Sequence, residues 1–309
     1  MSLDFEERLT SIASSADMVG IKVRPEAIAI GIKALVETDK KYGPLSPTPL
    51  SFHNAYHSLD MTERVIRLTN LLYRFIPLKY VPHVFELGVT GGTSHDWERR
   101  LSGTGANEKA SSAHAIEEIE SRGGPLNYKR FKERLDLGIV ATTVEREENG
   151  ELVQSQLQKG EADPFKFFMC FADIDGIAMD GPVRMLNDAT NLYLEELPDH
   201  QLPSAKGLLK TLGDQEIFIR QRLGDRRIKA DIAYHFPDSI EAVYQVMHEA
   251  FHENIESSSR LAKRIGQSPE LEAPLTAAMK GTDVFQLGHV VCDVIREHVG
   301  NELLPPVPS

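Results

Sequence analysis

The sequence has few cysteines, fewer basic than acidic residues and no long apolar run. Its two cysteines, Cys170 and Cys292, lie far apart and form no Cys-x-x-Cys pair. This excludes a disulfide framework and a thiolate zinc site, so any metal must be held by histidine and carboxylate. The longest apolar stretch, 27–36, is interrupted by Lys33 and falls short of the ~20 residues that span a bilayer. No membrane-spanning helix is therefore expected.

Basic residues are outnumbered, because 34 Lys and Arg stand against 46 Asp and Glu in 309 residues, a net charge of −12. A nucleic-acid surface needs clustered cations. We therefore expect no nucleic-acid polymer as a partner, although a local patch of basic residues could still bind one small phosphorylated molecule. The acidic N-terminal segment lacks a secretory pattern, which predicts a cytoplasmic protein. The sequence predicts no particular oligomeric state.

Helical periodicity dominates and predicts an all-α fold. Apolar residues recur every three or four positions over 55–74 and 239–265, which predicts a helix in each range. The Asn149-Gly150 dipeptide allows a short hairpin near residue 150, or equally an extended loop. No linker or repeat divides the chain. We predict one domain over 1–309, with a helical N-terminal extension (1–45), a metal-binding core (46–180) and a helical C-terminal part (181–309) on the substrate side.

Imidazole and carboxylate groups recur in the first half of the chain. If a helix starts at Phe52, three of them fall at i, i+4 and i+7 on one face. An ionised carboxylate within the apolar stretch 167–174 would be costly without a cation. Nitrogen and oxygen ligands of these kinds suit a divalent metal. The residues concerned are His53, His57, Asp60, His95, Asp96 and Asp173.

The order His57, His95-Asp96, Asp173 resembles the His…His-Asp…Asp signature of the HD superfamily of metal-dependent phosphohydrolases. Residues 52–61 are similar to the Tyr-His-Asn-x-x-His-x-x-Asp-Val motif of cyclic-nucleotide phosphodiesterases and small bacterial HD proteins, with Phe52 in place of Tyr. Residues 107–112 are similar to the Asn-Glu-x-x-Ser-Ala segment of those bacterial proteins. Residues 172–174 are similar to the Ala-Asp-Leu that carries the last ligand. The four segments extend over a little more than a third of the chain.

This resemblance implies an HD-type helical bundle and an enzyme, a phosphodiesterase or phosphomonoesterase. It would act on a nucleotide or cyclic-nucleotide-like molecule through a metal-bound hydroxide. The implied cofactor is one or two divalent ions, with Mn, Mg, Fe, Zn, Co and Ni not distinguished. The implied ligands are His57, His95, Asp96 and Asp173. The resemblance implies catalytic roles for His53, as proton donor to the leaving oxygen, and for Asp96, and it implies that Asn54 and Asp60 orient the ligating histidines.

The sequence departs from the family pattern directly after Asp96. Many members continue with Gly, His or Lys at defined positions, whereas this chain reads Trp97-Glu98-Arg99-Arg100. The departure favours a mononuclear site, or a second ion held mainly by water and Asp96, with His114 among the available substitute ligands. The candidates for contact with substrate or a second metal are Glu98, Arg99, Glu108, Gln215 and Arg220.

Two other functions are compatible with the sequence. An HD fold could retain its metal or nucleotide site and serve as a non-catalytic binding module. Separately, His248-Glu249-x-x-His252 matches the zinc metalloprotease pattern, in which two helical histidines bind zinc and the glutamate acts as base. That segment could equally be the polar flank of a helix or supply an extra ligand to the phosphohydrolase site.

Overall fold

The computed structural model describes residues 2–146, 152–198, 201–300 and 304. They are predominantly helical, which confirms the predicted all-α class. Short 3-10 turns occupy Ser15–Val19, Tyr73–Phe75, Leu78–Tyr80 and Pro269–Leu271. The α-helices, numbered in chain order, are α1 Ser2–Ser14, α2 Pro25–Tyr42, α3 Ala55–Leu72, α4 Val84–Ser94, α5 Ala106–Arg122, α6 Lys129–Ala141, α7 Pro164–Ile174, α8 Gly176–Glu196, α9 Ala205–Arg222, α10 Asp225–His235, α11 Ile240–Gly266, α12 Glu272–Met279 and α13 Leu287–Val299.

A minimal hairpin interrupts the helices. Strand β1, Glu145–Arg146, pairs antiparallel with β2, Leu152–Val153. This confirms the short hairpin that the sequence allows near residue 150. Its predicted turn, Asn149-Gly150, lies outside the described residues.

Both predicted helices form, as α3 and α11. The start at Ala55 given by the apolar periodicity is confirmed, whereas the start at Phe52, which would place His53 on the helix, was wrong. Asn54 has an extended backbone, with φ −133° and ψ −180°, and caps the helix that begins at Ala55. A side-chain acceptor at this position satisfies backbone N–H groups that lack helical partners, so the helix starts there and not at Phe52. His53 consequently precedes α3 and is not on its face.

Residues 1–49, 53–174 and 228–246 form one compact unit. Within it, α4 is buried along its whole length and packs against α2, α3, α6 and α7. Gly92 on α4 is required for the approach to α3, because a Cβ atom there would lie 2.7 Å from Cα of Thr62. Overpacking at such a contact is destabilising. Close packing of the two helices brings the C-terminal end of α4 to the first turn of α3.

The late segment 228–246 completes the packing of this unit. The ring of Phe236 lies 5.7 Å from that of Phe167 and 6.1 Å from that of Phe168, both on α7. His235, at the end of α10, lies 6.0 Å from Phe167 by ring centroids. Side chains late in the chain therefore form part of the core against which α7 packs.

Residues 50–52, 175–227 and 247–309 form a second unit, in which α8 packs against α9 and α13. Helix α8 is kinked at Gly181-Pro182, where Gly181 has φ 75° and ψ −161°. Proline cannot donate to the preceding turn. The amide of Asn254 on α11 instead donates to the carbonyl oxygens of Ala178 and Met179, at 3.1 and 3.0 Å.

The single domain predicted from the sequence, with boundaries near residues 45 and 180, stays a prediction beside this division into two units. In the part of the chain described, no helix combines the length and hydropathy needed to cross a bilayer.

Candidate metal centre

The first ligand candidate, His57, lies in the first turn of α3. The side-chain oxygen of Asn54 accepts hydrogen bonds from the backbone N–H groups of Tyr56 and His57, at 2.9 and 3.3 Å. This N-cap fixes the start of the helix and thereby the direction of the His57 side chain. Asn54 thus contacts His57 through its backbone. The orienting role that the resemblance implies for Asn54 stays a prediction.

The pair His95-Asp96 follows the last residue of α4. Nδ1 of His95 lies 2.8 Å from the carbonyl oxygen of Gly92. A carbonyl can only accept, so Nδ1 donates and Nε2 is the nitrogen left to bind an ion. A hydrogen bond from the other ring nitrogen is the usual way in which proteins fix a ligating imidazole.

Contacts from α2 and α5 hold the segment that follows Asp96. The hydroxyl of Tyr42 accepts from the backbone N–H of Arg99 at 2.9 Å and lies 3.1 Å from its carbonyl oxygen. Ser111 on α5 accepts from the backbone N–H of Glu98 at 2.9 Å. Asn107 accepts from that of Leu101 at 2.9 Å. The 107–112 segment therefore packs beside the site and fixes the backbone after Asp96.

Asp173 lies in the last turn of α7. The helix begins after Asp163, whose carboxylate accepts from the backbone N–H of Phe165 at 2.9 Å. The residues of α7 from Pro164 to Ala172 are all buried. Near its end, Nη1 of the buried Arg64 donates to the carbonyl oxygen of Ala172 at 3.2 Å. That carbonyl is among the last four of the helix, which lack helical partners.

Four side chains from these three elements converge on one point. Nε2 of His57 lies 3.4 Å from Oδ1 of Asp173 and 3.6 Å from Oδ2 of Asp96. Nε2 of His95 lies 3.7 Å and 3.2 Å from the same two oxygens. Ligands about 2.1 Å from one ion, at tetrahedral or octahedral angles, are separated by about 3.0 to 3.4 Å. The spacing therefore fits a divalent ion held by His57, His95 and Asp173, whose ligand atoms all lie within 4.8 Å of one another. The carboxylate of Asp96 lies against both histidines.

Burial of these groups supports the same fit. His57, His95 and Asp96 are 4%, 2% and 1% exposed. Nε2 of His95 and Oδ2 of Asp96 are buried and make no hydrogen bond. Buried polar atoms normally form hydrogen bonds, so a cation bound between these two atoms would supply the interaction that each lacks. The donor set of imidazole nitrogens and carboxylate oxygens, without sulfur, suits a hard or borderline ion.

The electrostatics of the cluster favour a positive charge within it. Burial opposes ionisation of Asp96, but His95, Arg99 and His53 outweigh it and hold the pKa of the carboxyl well below its usual range. Burial lowers the pKa of His57. Burial also disfavours a charged His95, yet Asp96 and Asp173 prevail and raise the pKa of its imidazole to about 9. The two carboxylates therefore favour positive charge on the neighbouring imidazoles.

Two of the predicted neighbours lie against the cluster. The rings of His53 and His57 are 5.8 Å apart and edge-on. Arg99 places Nη1 3.1 Å from Oδ1 of Asp96 and 3.6 Å from a carboxylate oxygen of Glu108. His53 and Arg99 thus lie beside the four ligand candidates.

Other predicted residues are engaged elsewhere. Glu98 pairs with Lys41 and lies 3.3 Å from His114, so two of the three proposed substitute ligands contact each other. The third, Glu108, lies 3.6 Å from Arg99. Asp60 lies 3.5 Å from Arg8 on α1. Gln215 and Arg220 belong to the second unit, where Gln215 donates to the carbonyl oxygen of Thr211 and Arg220 pairs with Glu216.

The metalloprotease motif lies on α11. The rings of His248 and His252 stack, with centroids 4.4 Å apart and planes at 16°. Within the described ranges, no third histidine, cysteine or carboxylate ligand joins them. Catalytic zinc sites have three protein ligands, so this pair lacks the set that a protease would need.

Sequence reasoning missed three residues that support the site: Arg64, Tyr42 and Ser111. Arg64 carries a recognisable signal, since it is a charged residue seven positions after His57 on the apolar face of α3. Tyr42 contacts the backbone of Arg99, which is distant in sequence, so no local pattern indicates its role. Ser111 was noted within a motif, but its contact with the backbone of Glu98 becomes visible only in the fold.

Comparison of the chain with protein-family models, with curated proteins and with solved structures found no match. The similarity to the HD superfamily therefore remains a prediction from the motifs.

Proposed function

We propose that the protein is a metal-dependent phosphohydrolase that cleaves a small phosphoester of the nucleotide or cyclic-nucleotide kind. The observation that carries the proposal is the convergence of His57, His95, Asp96 and Asp173 on one buried point, with two of their polar atoms lacking a hydrogen bond. A buried, charged and incompletely paired cluster is costly unless a ligand completes it. A divalent ion is the ligand that these four side chains fit.

The four ligands would hold the ion, and the chemistry then follows from its charge. A divalent ion bound here supplies a Lewis acid that activates water near neutral pH and draws charge from a phosphoryl oxygen. Asp96 also accepts from Arg99, which balances part of its negative charge. We favour one ion, because Glu98, the carboxylate nearest in sequence, is paired with Lys41.

His53 is proposed as the proton donor to the leaving oxygen. Its ring lies beside that of His57 without belonging to the cluster of ligand atoms, so its nitrogens are not needed to hold the ion. Imidazole is the side chain that most often serves as a general acid or base, which suits this role. Arg99 is proposed to neutralise phosphate charge. The substrate contacts of Gln215 and Arg220 stay predictions from the sequence.

The proposal is tested with the full chain and an Asp96→Asn variant, which keeps the shape of the side chain and removes its charge. Both are purified without added metal, dialysed against a weak chelator and analysed for bound metals. Hydrolysis of a generic phosphodiester and a generic phosphomonoester is then measured with Mn, Mg, Fe, Co, Ni and Zn. Asp214→Asn, which alters an exposed carboxylate paired with Lys210, is the matched control.

We expect the parent and Asp214→Asn to retain metal and hydrolyse a phosphoester, and Asp96→Asn to lose both. Retained metal without turnover on either substrate class would instead favour the non-catalytic binding module. Unchanged metal content and turnover in Asp96→Asn would contradict the proposal.

A further inference from the structure

The geometry points to a second, open metal site on α11: we propose that His248 and His252 chelate a borderline divalent transition metal such as Ni²⁺ or Zn²⁺. This site is distinct from the buried cluster and does not depend on its function. It also differs from a catalytic zinc site, because two histidines leave most coordination positions to water or an external ligand.

Helix geometry places the two imidazoles together. Residues four apart lie on one face, one turn above the other. The observed rings are nearly parallel, at 16°, with centroids 4.4 Å apart. Adjacent ligand nitrogens on one ion are about 3 Å apart, so modest rotation about the side-chain torsions brings one nitrogen of each ring to the ion.

Accessibility supports an exchangeable ion. His252 is exposed and His248 is half-buried, whereas His57 and His95 are buried. An ion can therefore reach the α11 pair from solvent without opening the core. Imidazole pairs suit nickel, copper and zinc and suit magnesium and calcium poorly. We therefore expect the pair to bind transition-metal ions, either free in solution or already coordinated by another molecule.

This difference in burial permits a direct experiment on the untagged full chain. Retention on an immobilised Ni²⁺ column reports exposed histidine pairs and not the buried cluster. The His248→Ala and His252→Ala variants are compared with His289→Ala, which removes an exposed histidine that has no histidine four residues away. Solution titration with Ni²⁺ gives affinities, and circular dichroism checks that each variant remains helical.

We expect His248→Ala and His252→Ala to elute at lower imidazole and to lose about tenfold or more in Ni²⁺ affinity for this site. His289→Ala should match the parent. A relocated pair gives a further check. In the double variant His248→Ala/Glu256→His, the new histidine lies four residues after His252, so an i, i+4 pair is formed again one turn further along the helix. Residue 256 is also exposed. That variant should recover retention.

Equal retention of the parent and the single variants would overturn the site. So would an equal loss in His289→Ala, or failure of the relocated pair to restore binding, because the i, i+4 pairing would then not be what holds nickel. None of these outcomes bears on the buried cluster, whose metal content is measured separately through Asp96→Asn.

Discussion

The guanidinium of Arg64 donates to the carbonyl oxygen of Ala172 at 3.2 Å, and Asp173 is the next residue. Helix α3 thus supplies both His57 and the arginine that holds the end of α7. We expect Arg64→Met to weaken metal binding by about 10–100-fold, the usual effect of removing a group that orients a ligand. Metal titration of the full chain measures this.

The matched control is Arg67→Met, which removes an exposed arginine from the same helix. It should bind metal like the parent. Arg64→Lys keeps the charge but not the planar geometry of the donor, and we expect an intermediate affinity. A parental affinity in Arg64→Met, with its helix content preserved, would show that Arg64 does not position Asp173.

A second prediction concerns proton release. Burial disfavours a charged His95, but Asp96 and Asp173 outweigh it and raise the pKa to about 9, so the metal-free site carries a proton at about pH 7. An ion must displace that proton to bind Nε2. Calorimetry in buffers of different ionisation enthalpy should report release of about one proton per ion. Binding heats that are independent of the buffer would contradict it.

Acid should weaken the fold through His235. Burial and the nearby Lys166 lower the pKa of this histidine from 6.5 to about 4. Above about pH 6.5 the imidazole is neutral in both the folded and the unfolded chain, so its full contribution to the free energy of unfolding is present. Between pH 6.5 and about pH 4, only the unfolded chain binds the proton. The free energy of unfolding therefore decreases as the pH is lowered through this range, by ~3 kcal/mol in total.

The measurement is urea unfolding across that range, compared with His235→Gln. The substitution should flatten the pH dependence, even where it also changes stability at neutral pH. His298→Gln, at an exposed position, should keep the parental slope. A parental slope in His235→Gln would assign the acid sensitivity to other groups.

Two ion pairs on α6 should differ sharply in their effect on stability. Arg134 pairs with Asp163 through two hydrogen bonds, and both residues are buried. Arg134→Met would leave the carboxylate buried and unpaired, at a cost of about 3–5 kcal/mol in the free energy of unfolding. One turn earlier, Arg130 pairs with Glu161 in solvent, so Arg130→Met should cost about 1 kcal/mol or less.

Urea unfolding at neutral pH compares the two. In the double variant Arg134→Met/Asp163→Asn the buried charge is gone, while the amide oxygen of the new side chain can still cap α7, so part of the loss should be recovered. Equal costs for Arg134→Met and Arg130→Met would show that the buried pair contributes no more than the exposed one.

The sequence was informative where the signal is local. Apolar periodicity predicted α3 and α11 to within a few residues, and ligand chemistry indicated the imidazoles and carboxylates that meet in the fold. The helix start at Phe52 was wrong because the side chain of Asn54 accepts from backbone N–H groups and caps the helix at Ala55. The close approach of α4 to α3 at Gly92 depends on a contact with Thr62, thirty residues earlier, and no local pattern encodes it.

The return of residues 228–246 to the first unit has a consequence for synthesis on the ribosome. All four ligand candidates have been translated by residue 173, but Phe236, which packs on α7, follows about sixty residues later. At 5–20 residues per second this is a delay of roughly 3–12 s. During that interval the rings of Phe167 and Phe168 lack the contact that Phe236 makes with them in the folded chain, so α7 completes its packing only late in synthesis.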